Sequence, residues 1–321
     1  MTLRYLARRL AYLVPTLVGI SLLAFTLGHV APGDAAAEYF QRLHGRPPSQ
    51  AELVNARDRL GLDEPLPVQY ADWLTDAVRG DLGRAFSTGR PVTGELLSRF
   101  PVTLQLAGAA MVVALVIAMP VGIVAALYRN RAIDQVVRVG AMLGASLPGF
   151  WLAYLLIIAF SVKLGVLPSG GQGGFEHLIL PALALGLADS AILARLMRSS
   201  LLEVMGENYV RTARAKGVAE WKVVTRHGLG NSLSAVATQA AITLGWLLAY
   251  SAIIEVIFVW PGIGRLALEA IYARDYPLIQ GFVVFAGAIF VVINLLVDLL
   301  YRWLDPRVTL GDGSAAVAQG A

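Results

Sequence analysis

Residues 100–127 read FPVTLQLAGAAMVVALVIAMPVGIVAAL and contain no Asp, Glu, Lys or Arg. A helix needs about 20 mostly apolar residues to cross the hydrocarbon core of a bilayer. The stretch is longer than that, and its internal Gly and Pro residues are commoner in membrane helices than in soluble ones. The sequence therefore predicts a membrane-spanning helix here.

The composition of the whole chain agrees with a membrane protein. Of its 321 residues, 57% are apolar and only 15% are charged, with a net charge of +4. Because an average soluble domain has about 25% charged residues, the composition argues against a soluble enzyme and excludes a disordered chain. The sequence has no cysteine, which excludes disulfides, thiolate metal sites and cysteine nucleophiles.

Five further apolar segments have the length of a span. The six predicted spans are residues 10–30, 100–127, 136–162, 178–196, 235–259 and 278–300. The first is predicted to be retained, because its apolar run exceeds the roughly 7–15 residues typical of a cleaved signal peptide. Lys and Arg are concentrated near the span ends on one side of the membrane. Both termini and residues 197–234 lie on this side. Since basic residues favour the cytoplasmic side, the prediction is a multi-pass protein of the cell inner membrane with both termini cytoplasmic.

The spans define four regions of the chain. Residues 31–99 form the only sizeable outer segment, and short helices are predicted near 50–60 and 68–79. The regions are 1–30 (N-terminal end and first span), 31–99 (extracytoplasmic insertion), 100–309 (transmembrane core) and 310–321 (flexible C-terminal tail).

The longest polar stretch within the core is the loop 203–231, which reads EVMGENYVRTARAKGVAEWKVVTRHGLGN. Gly206 is predicted to end the preceding helix, Asn208 to cap a short helix, and Gly217 to end that helix in the left-handed region. A second short helix is predicted from Ala219 to His227. Three interpretations are open: an ordinary basic loop, a DNA-binding helix-turn-helix, or a docking element for a soluble partner. Tethering of both ends in the membrane disfavours nucleic acid as the partner.

An ordered set of motifs runs along the chain. It comprises PGD at 32–34, GDLG at 80–83, NYVRTARAKG at 208–217, HGLGNSL at 227–233, EVIFVWPGIGR at 255–265 and RDYP at 274–277. Together these motifs resemble ABC-importer permeases of the dipeptide/oligopeptide/nickel branch. The pair at 208–217 and 227–233 is similar to the EAA loop, on which the ATPase of such importers docks.

The resemblance implies an all-α membrane protein with six transmembrane helices, the MetI-like permease fold of type I ABC importers, and a small outer helical insertion. The chain would form half of a pathway for di- or oligopeptides, embedded in membrane lipid. Its partners would be a second permease subunit, usually a different chain, two cytoplasmic ATPases and an extracytoplasmic substrate-binding protein. Nickel-chelate or other small-solute import is an alternative, as is a self-sufficient secondary transporter.

The resemblance also implies that the chain is not an enzyme and holds no cofactor, since its partner subunits would use ATP and Mg. In agreement, the sequence has no G-x-x-x-x-G-K-[ST] run for binding nucleotide phosphates. The four histidines share no metal-ligand spacing.

Two groups of site residues follow. The ATPase-docking residues implied by the resemblance are Tyr209, Ala213, Ala215, Lys216, Gly217, Val218, His227 and Asn231. Polar groups inside spans are costly and therefore suggest function. The pathway or gate candidates are Asp189, Glu255, Arg265 and Asn294. Alternatively, Asp189 pairs with a neighbouring helix or with Arg195 or Arg198 on its own helix. Likewise, Glu255 pairs with Arg265 across a helix break at residues 260–262.

Overall fold

The chain is helical throughout the part that the structure describes. This computed structural model describes residues 14–26, 34–59 and 61–304. Within these ranges there is no strand, and the extended pairing is an isolated bridge between Arg84 and Pro91. The helices in chain order are α1 Val14–Thr26, α2 Ala35–His44, α3 Gln50–Arg59, α4 Leu66–Val78, α5 Val92–Leu127, α6 Ala132–Ser146, α7 Gly149–Leu156, α8 Phe175–Met205, α9 Asn208–Ala215, α10 Glu220–Lys222, α11 Leu229–Ile257, α12 Ile263–Tyr272 and α13 Tyr276–Leu304.

Two π-helical segments extend this set. Ile157–Lys163 continues α7, and Val223–Gly228 joins α10 to α11. Among the described residues, four helices are long and apolar enough to cross a membrane, and the bent pair formed by α6 and α7 makes a possible fifth span. Helix α1 is the described part of the predicted first span. The all-α membrane architecture is thus confirmed, whereas the count of six spans stays a prediction.

The predicted span 136–162 is not one straight helix. Its two halves, Ala132–Gly144 and Gly149–Lys163, meet at a bend of 100°. Between them Leu147 is extended, with φ −82° and ψ 127°. The ring of a proline drives the preceding residue out of the α region, and Pro148 follows directly. The break therefore has a local cause within the apolar run.

Two compact units divide the chain. The first comprises Met1–Ala107, Leu156–Pro181 and Leu248–Val291. The second comprises Gly108–Leu155, Ala182–Leu247 and Val292–Ala321. Several long helices contribute to both units, so neither unit corresponds to a single stretch of sequence.

The predicted insertion, residues 31–99, belongs to the first unit, and α3 and α4 confirm its two predicted helices. Helix α3 begins with a capping box. The Glu52 carboxylate accepts a hydrogen bond from the Ser49 N–H at 2.9 Å and another from the Ser49 hydroxyl at 2.8 Å. Hydrogen bonds from Arg46, and then from Ser49, lower the pKa of Glu52 to about 2. Arg57 donates to Asp34, the N-cap of α2, and thereby joins α3 to α2.

The insertion is fixed to the last helix by Asp275. Its buried carboxylate accepts hydrogen bonds from the Phe86 N–H (3.0 Å), the Ser87 N–H (2.7 Å) and the Ser87 hydroxyl (2.6 Å). An apolar cluster formed by Leu82, Ala85, Val92, Leu96, Leu266, Ala270 and Leu278 lies in the same unit. Because Val92 and Leu96 are buried in it, α5 begins at Val92, ahead of the apolar run that starts at residue 100.

Glycines allow close helix packing in the second unit. A Cβ atom at Gly122 would lie 2.6 Å from the carbonyl oxygen of Ala194, and one at Gly186 would lie 2.3 Å from that of Ala110. Small residues let membrane helices approach backbone to backbone. Helices α5 and α8 therefore pack closely in this unit, with no room for larger side chains at these two positions.

Candidate functional site

In the loop 203–231, only Gly206 and Glu207 separate the end of α8 from the start of α9. Helix α8 ends at Met205, next to Gly206 as predicted. Glu207 is extended, with φ −68° and ψ 151°, and is the N-cap of α9. Asn208 was the predicted cap but is the first residue of the helix. Glu207, directly after Gly206, takes the extended N-cap position instead.

The corner after α9 is a Schellman motif. Gly217 has a φ of +76°, as predicted for a residue in the left-handed region. Its N–H donates to the carbonyl of Arg214 at 2.9 Å, and the Val218 N–H donates to that of Ala213 at 3.2 Å. These two bonds satisfy carbonyl groups that the end of a helix leaves free. The corner therefore has a defined geometry that a local glycine makes possible.

A small apolar interior supports the corner. Val210, Ala213 and Val223 are buried together, with Met205 and Val218 packed against them. The loop thus has a core of its own. Ala213, predicted to contact a partner, lies in this interior.

A bidentate ion pair joins the two sides of the corner. Arg214 Nε lies 3.0 Å from Glu220 Oε2, and Arg214 Nη2 lies 2.6 Å from Glu220 Oε1. The pair is partly exposed, and exposed pairs contribute little to stability. Its geometric effect is to hold the start of α10 beside α9.

The second helix of the loop runs directly into the next span. Residues Val223–Gly228 are π-helical, and the Leu229 N–H donates to the carbonyl of Val224. The predicted start of this helix near Ala219 is confirmed, whereas its predicted end at His227 is wrong. Gly228 allows close packing here, since a Cβ at this position would lie 2.9 Å from Leu201 Cδ1 at the end of α8.

The structure brings three of the predicted docking residues together. The Asn231 side-chain amide donates to the Tyr209 hydroxyl at 2.7 Å, and that hydroxyl lies 3.3 Å from the His227 carbonyl oxygen, to which it donates. Tyr209 is on α9, whereas His227 and Asn231 are at the start of the following span. These two hydrogen bonds join α9 to the start of the following span.

Most of the predicted docking residues are accessible. Tyr209, Ala215, Lys216, Gly217 and Asn231 are exposed, Val218 and His227 are half-buried, and Ala213 is buried. Sequence reasoning missed Trp221, which is 65% exposed beside this corner and lies under the Lys222 amine. An exposed tryptophan in a polar loop was a visible signal of a contact surface.

The pathway candidate Glu255 is part of a buried network in the first unit. It accepts hydrogen bonds from the Thr103 hydroxyl and from the Arg265 N–H. The Arg265 guanidinium instead donates to Glu269 and to the Val259 carbonyl, so the predicted Glu255–Arg265 side-chain pair is wrong. The predicted helix break at residues 260–262 is confirmed.

Two pathway candidates remain, Asp189 and Asn294. Asp189 is half-buried on α8 and makes no hydrogen bond or ion pair in the described part of the chain. The alternative pairing of Asp189 with Arg198 is wrong, because Arg198 pairs with the buried Asp134. The Asn294 side chain lies outside the described residues. Among the residues that are described, no cluster of His, Asp or Glu could hold a metal ion.

An open cavity of about 1180 Å³ lies beside the insertion. Its walls come from Phe25 of α1, from residues 34–89 and from the start of α13, with Trp73 and Phe86 among them. The charged residues that line it are Asp34, Arg57, Asp63, Glu64, Asp72, Asp76 and Arg84. Carboxylates therefore outnumber guanidinium groups on this surface.

Comparison with known families places almost the whole chain. Residues 118–310 match the family described as the inner membrane component of binding-protein-dependent transport systems, and residues 2–107 match the N-terminal membrane component of such systems. The glutathione transport system permease protein GsiC of Escherichia coli K12 is 43% identical over 307 residues, covering 95% of this chain and 99% of that protein. GsiC of Salmonella choleraesuis matches to the same extent.

Solved structures support the fold. An inward-facing MetNI methionine ABC transporter aligns with a TM-score of 0.55 at 23% identity, covering 65% of this chain and 96% of that chain. An amino acid ABC transporter aligns with a TM-score of 0.51 at 18% identity, covering 66% of this chain and 94% of the other. The predicted MetI-like fold is confirmed.

Proposed function

The chain belongs to the inner membrane components of binding-protein-dependent transport systems, and we propose that it forms half of a translocation pathway for short peptides. Members of this family are permease subunits of ABC importers and are non-catalytic. The substrate proposal rests on the 43% identity to a glutathione permease over 95% of the chain, since glutathione is itself a small peptide.

Uptake of labelled solutes tests this substrate class. Cells carrying the complete transport system are compared with cells in which this chain is deleted, using a dipeptide, an oligopeptide, glutathione and a nickel chelate. Peptide or glutathione uptake that depends on the chain supports the proposal. Uptake of the nickel chelate alone would assign the chain to the alternative substrate class.

We propose that the loop 203–231 docks one of two ATPase subunits, while a second permease subunit completes the pathway. The observation that carries this is the exposed corner at Ala215, Lys216 and Gly217, where a Cβ on Gly217 would meet no atom within 4 Å. The corner is supported by the apolar interior of the loop. The hydrogen bond between Asn231 and Tyr209 connects α9 to α11. A partner surface could therefore press on the corner and move the span.

Both termini and the loop 203–231 are proposed to be cytoplasmic, and the insertion to face outward. Asn55→Cys, at an exposed position of α3, is expected to react with a membrane-impermeant thiol reagent in intact cells. Arg129→Cys, also exposed, is the matched control and should react only after permeabilisation. Because the chain has no cysteine of its own, each label reports one position. Protection of position 55 in intact cells would refute this topology.

The binding protein is proposed to dock on residues 31–99 and 260–277. Single cysteines carrying a photocrosslinker at Val78 and Tyr272 are expected to capture it, because both positions are prominent on these segments, with exposures of 81% and 86%. Phe175→Cys is the matched control at 78% exposure, outside the two segments. Capture at position 175 and at neither of the others would overturn the proposed face.

A further inference from the structure

Glu255 is a buried carboxylate held by uncharged donors. Its Oε1 atom accepts hydrogen bonds from the hydroxyls of Thr103 (2.7 Å) and Ser251 (3.2 Å), and its Oε2 atom accepts one from the Arg265 N–H (2.9 Å). The Glu255 and Thr103 side chains are fully buried. Within the described ranges no cation pairs with Glu255. Burial of a carboxylate is unfavourable unless its acceptor capacity is used, and here both oxygens are used.

The network caps the first turn of α12. The N-cap of α12 is Gly262, which has no side chain to accept a hydrogen bond. The Ile263 N–H donates to the Thr103 hydroxyl at 2.9 Å, and the Arg265 N–H donates to Glu255. The first N–H groups of a helix have no partner within it, and a negative charge is favourable at this end. Glu255 and Thr103 thus supply, from α11 and α5, the cap that α12 lacks.

The turn before α12 fits closely against the same groups. A Cβ on Gly262 would lie 2.3 Å from the Glu255 carboxyl group, and one on Gly264 would lie 2.5 Å from Ala252 Cα. The buried Trp260 donates its indole N–H to the Val102 carbonyl at 3.1 Å. The turn is therefore bonded on one side to α5 and on the other to α11, and only glycine fits at the two contact points.

We infer that Glu255 is a positioning residue that couples the outer helix α12 to α5 and α11, so that docking at the outer face is transmitted to those two spans. A cap made by the helix itself would hold α12 together without linking it to anything else. Because two spans supply the cap of α12, we expect α12 and those spans to move together. This inference rests on the proposed docking of the binding protein at residues 260–277.

The link itself is tested by amide hydrogen exchange on the chain in nanodiscs. Thr103→Val keeps the shape of the side chain and removes both hydrogen bonds of its hydroxyl, while Glu255→Gln replaces one acceptor by a donor. Exchange in a peptide spanning residues 260–266 is expected to speed up by about tenfold in both variants, since each one removes or weakens the side-chain acceptor of an N–H group in the first turn of α12. Thr243→Val, a buried threonine of α11 outside the network, should leave this peptide unchanged.

The coupling is tested in the complete transporter with its ATPases, partner permease and binding protein. Thr103→Val and Glu255→Gln are expected to keep basal ATP hydrolysis and to lower its stimulation by the binding protein by about tenfold, a size typical of coupling between sites. Thr103→Ser, which keeps the hydroxyl, should restore the stimulation. A purely structural role would lower basal activity and stimulated activity together.

The outcomes separate the proposed docking of the binding protein from the proposed coupling through Glu255. If the binding protein fails to stimulate the unaltered transporter, the proposed docking is at fault. If the unaltered transporter is stimulated and both variants are stimulated equally, coupling through Glu255 is refuted. If Thr103→Val and Glu255→Gln both fail to assemble, the network serves folding alone and the inference is likewise overturned.

Discussion

Gly217→Arg is expected to leave the chain in the membrane at a near-normal level while abolishing both ATPase association and substrate uptake. The strain of placing a Cβ at a φ of +76° costs roughly 1–2 kcal/mol. Apart from Gly217 and its two chain neighbours, no atom of the described chain lies within 4 Å of the position that this Cβ would take. A large side chain at this corner therefore projects into the space assigned to the partner, away from the spans.

Two substitutions at the same position separate backbone strain from obstruction of the partner. Gly217→Asn tolerates the left-handed region with a small side chain and should retain most ATPase binding. Gly217→Ala has the strain without the bulk and should lie between Asn and Arg. Arg129→Ala, on another loop, should have little effect.

The measurements are co-purification of the ATPase subunits and uptake of labelled peptide, each normalised to the amount of chain in the membrane. Normal ATPase recovery and normal uptake with Gly217→Arg would show that the loop 203–231 does not couple to the ATPase. It would then be an ordinary basic loop.

Ala213→Asp follows from the same region, but the structure increases its expected effect. From sequence, a mild effect is expected because the helix is kept. Ala213 is buried in the interior with Val210 and Val223, so an aspartate there would place a charge inside the core of the loop. We therefore expect lower abundance of this variant as well as loss of ATPase recovery, as measured by membrane immunoblot and co-purification.

Local signals in the sequence predicted the parts of the structure that depend on neighbours along the chain. The apolar runs gave the long helices, because a bilayer requires about 20 apolar residues whatever lies beside them. Gly217 after Lys216 predicted the helix end, because only glycine adopts its backbone conformation without strain. The bend before Pro148 also had a local signal, but the continuous apolar run favoured a single helix over it.

Contacts between distant residues had no such signal. Thr103 and Glu255 are 152 residues apart, and Asp134 and Arg198 are 64 apart. A carboxylate in a membrane span indicates that it has a hydrogen-bond or ion-pair partner. The sequence does not show which of the many donors in the chain that partner is. For this reason Arg265 was expected to supply its side chain to Glu255, whereas it supplies its backbone N–H. Arg198 was likewise a candidate partner for Asp189, although it pairs with Asp134.

Arg198→Ala is expected to reduce strongly the amount of folded chain. Arg198 makes two parallel hydrogen bonds to Asp134, with Nε–Oδ1 at 2.7 Å and Nη2–Oδ2 at 2.8 Å. Asp134 is fully buried, and the only other donor to it within the described ranges is the Asn130 N–H. Arg198 is partly exposed, so solvent screens the charge that its removal leaves on Asp134, and we expect a cost of about 1–3 kcal/mol, still a large share of the stability of a typical protein.

Matched variants distinguish loss of the pair from loss of a basic residue. Arg198→Lys keeps the charge but cannot make both bonds, so its abundance and melting temperature in detergent should be intermediate. Arg138→Ala removes an arginine of the same unit whose side chain donates to Gln135 and whose charge acts on Asp134 without a direct hydrogen bond in the described part of the chain, so its melting temperature should fall much less than that of Arg198→Ala. Changing Asp134 to Asn together with Arg198→Ala removes the unpaired charge and should recover part of the loss. An unpaired buried carboxylate lowers the stability of the fold. Equal melting temperatures for Arg198→Ala and the unaltered chain would therefore show that this ion pair does not hold α6 to α8.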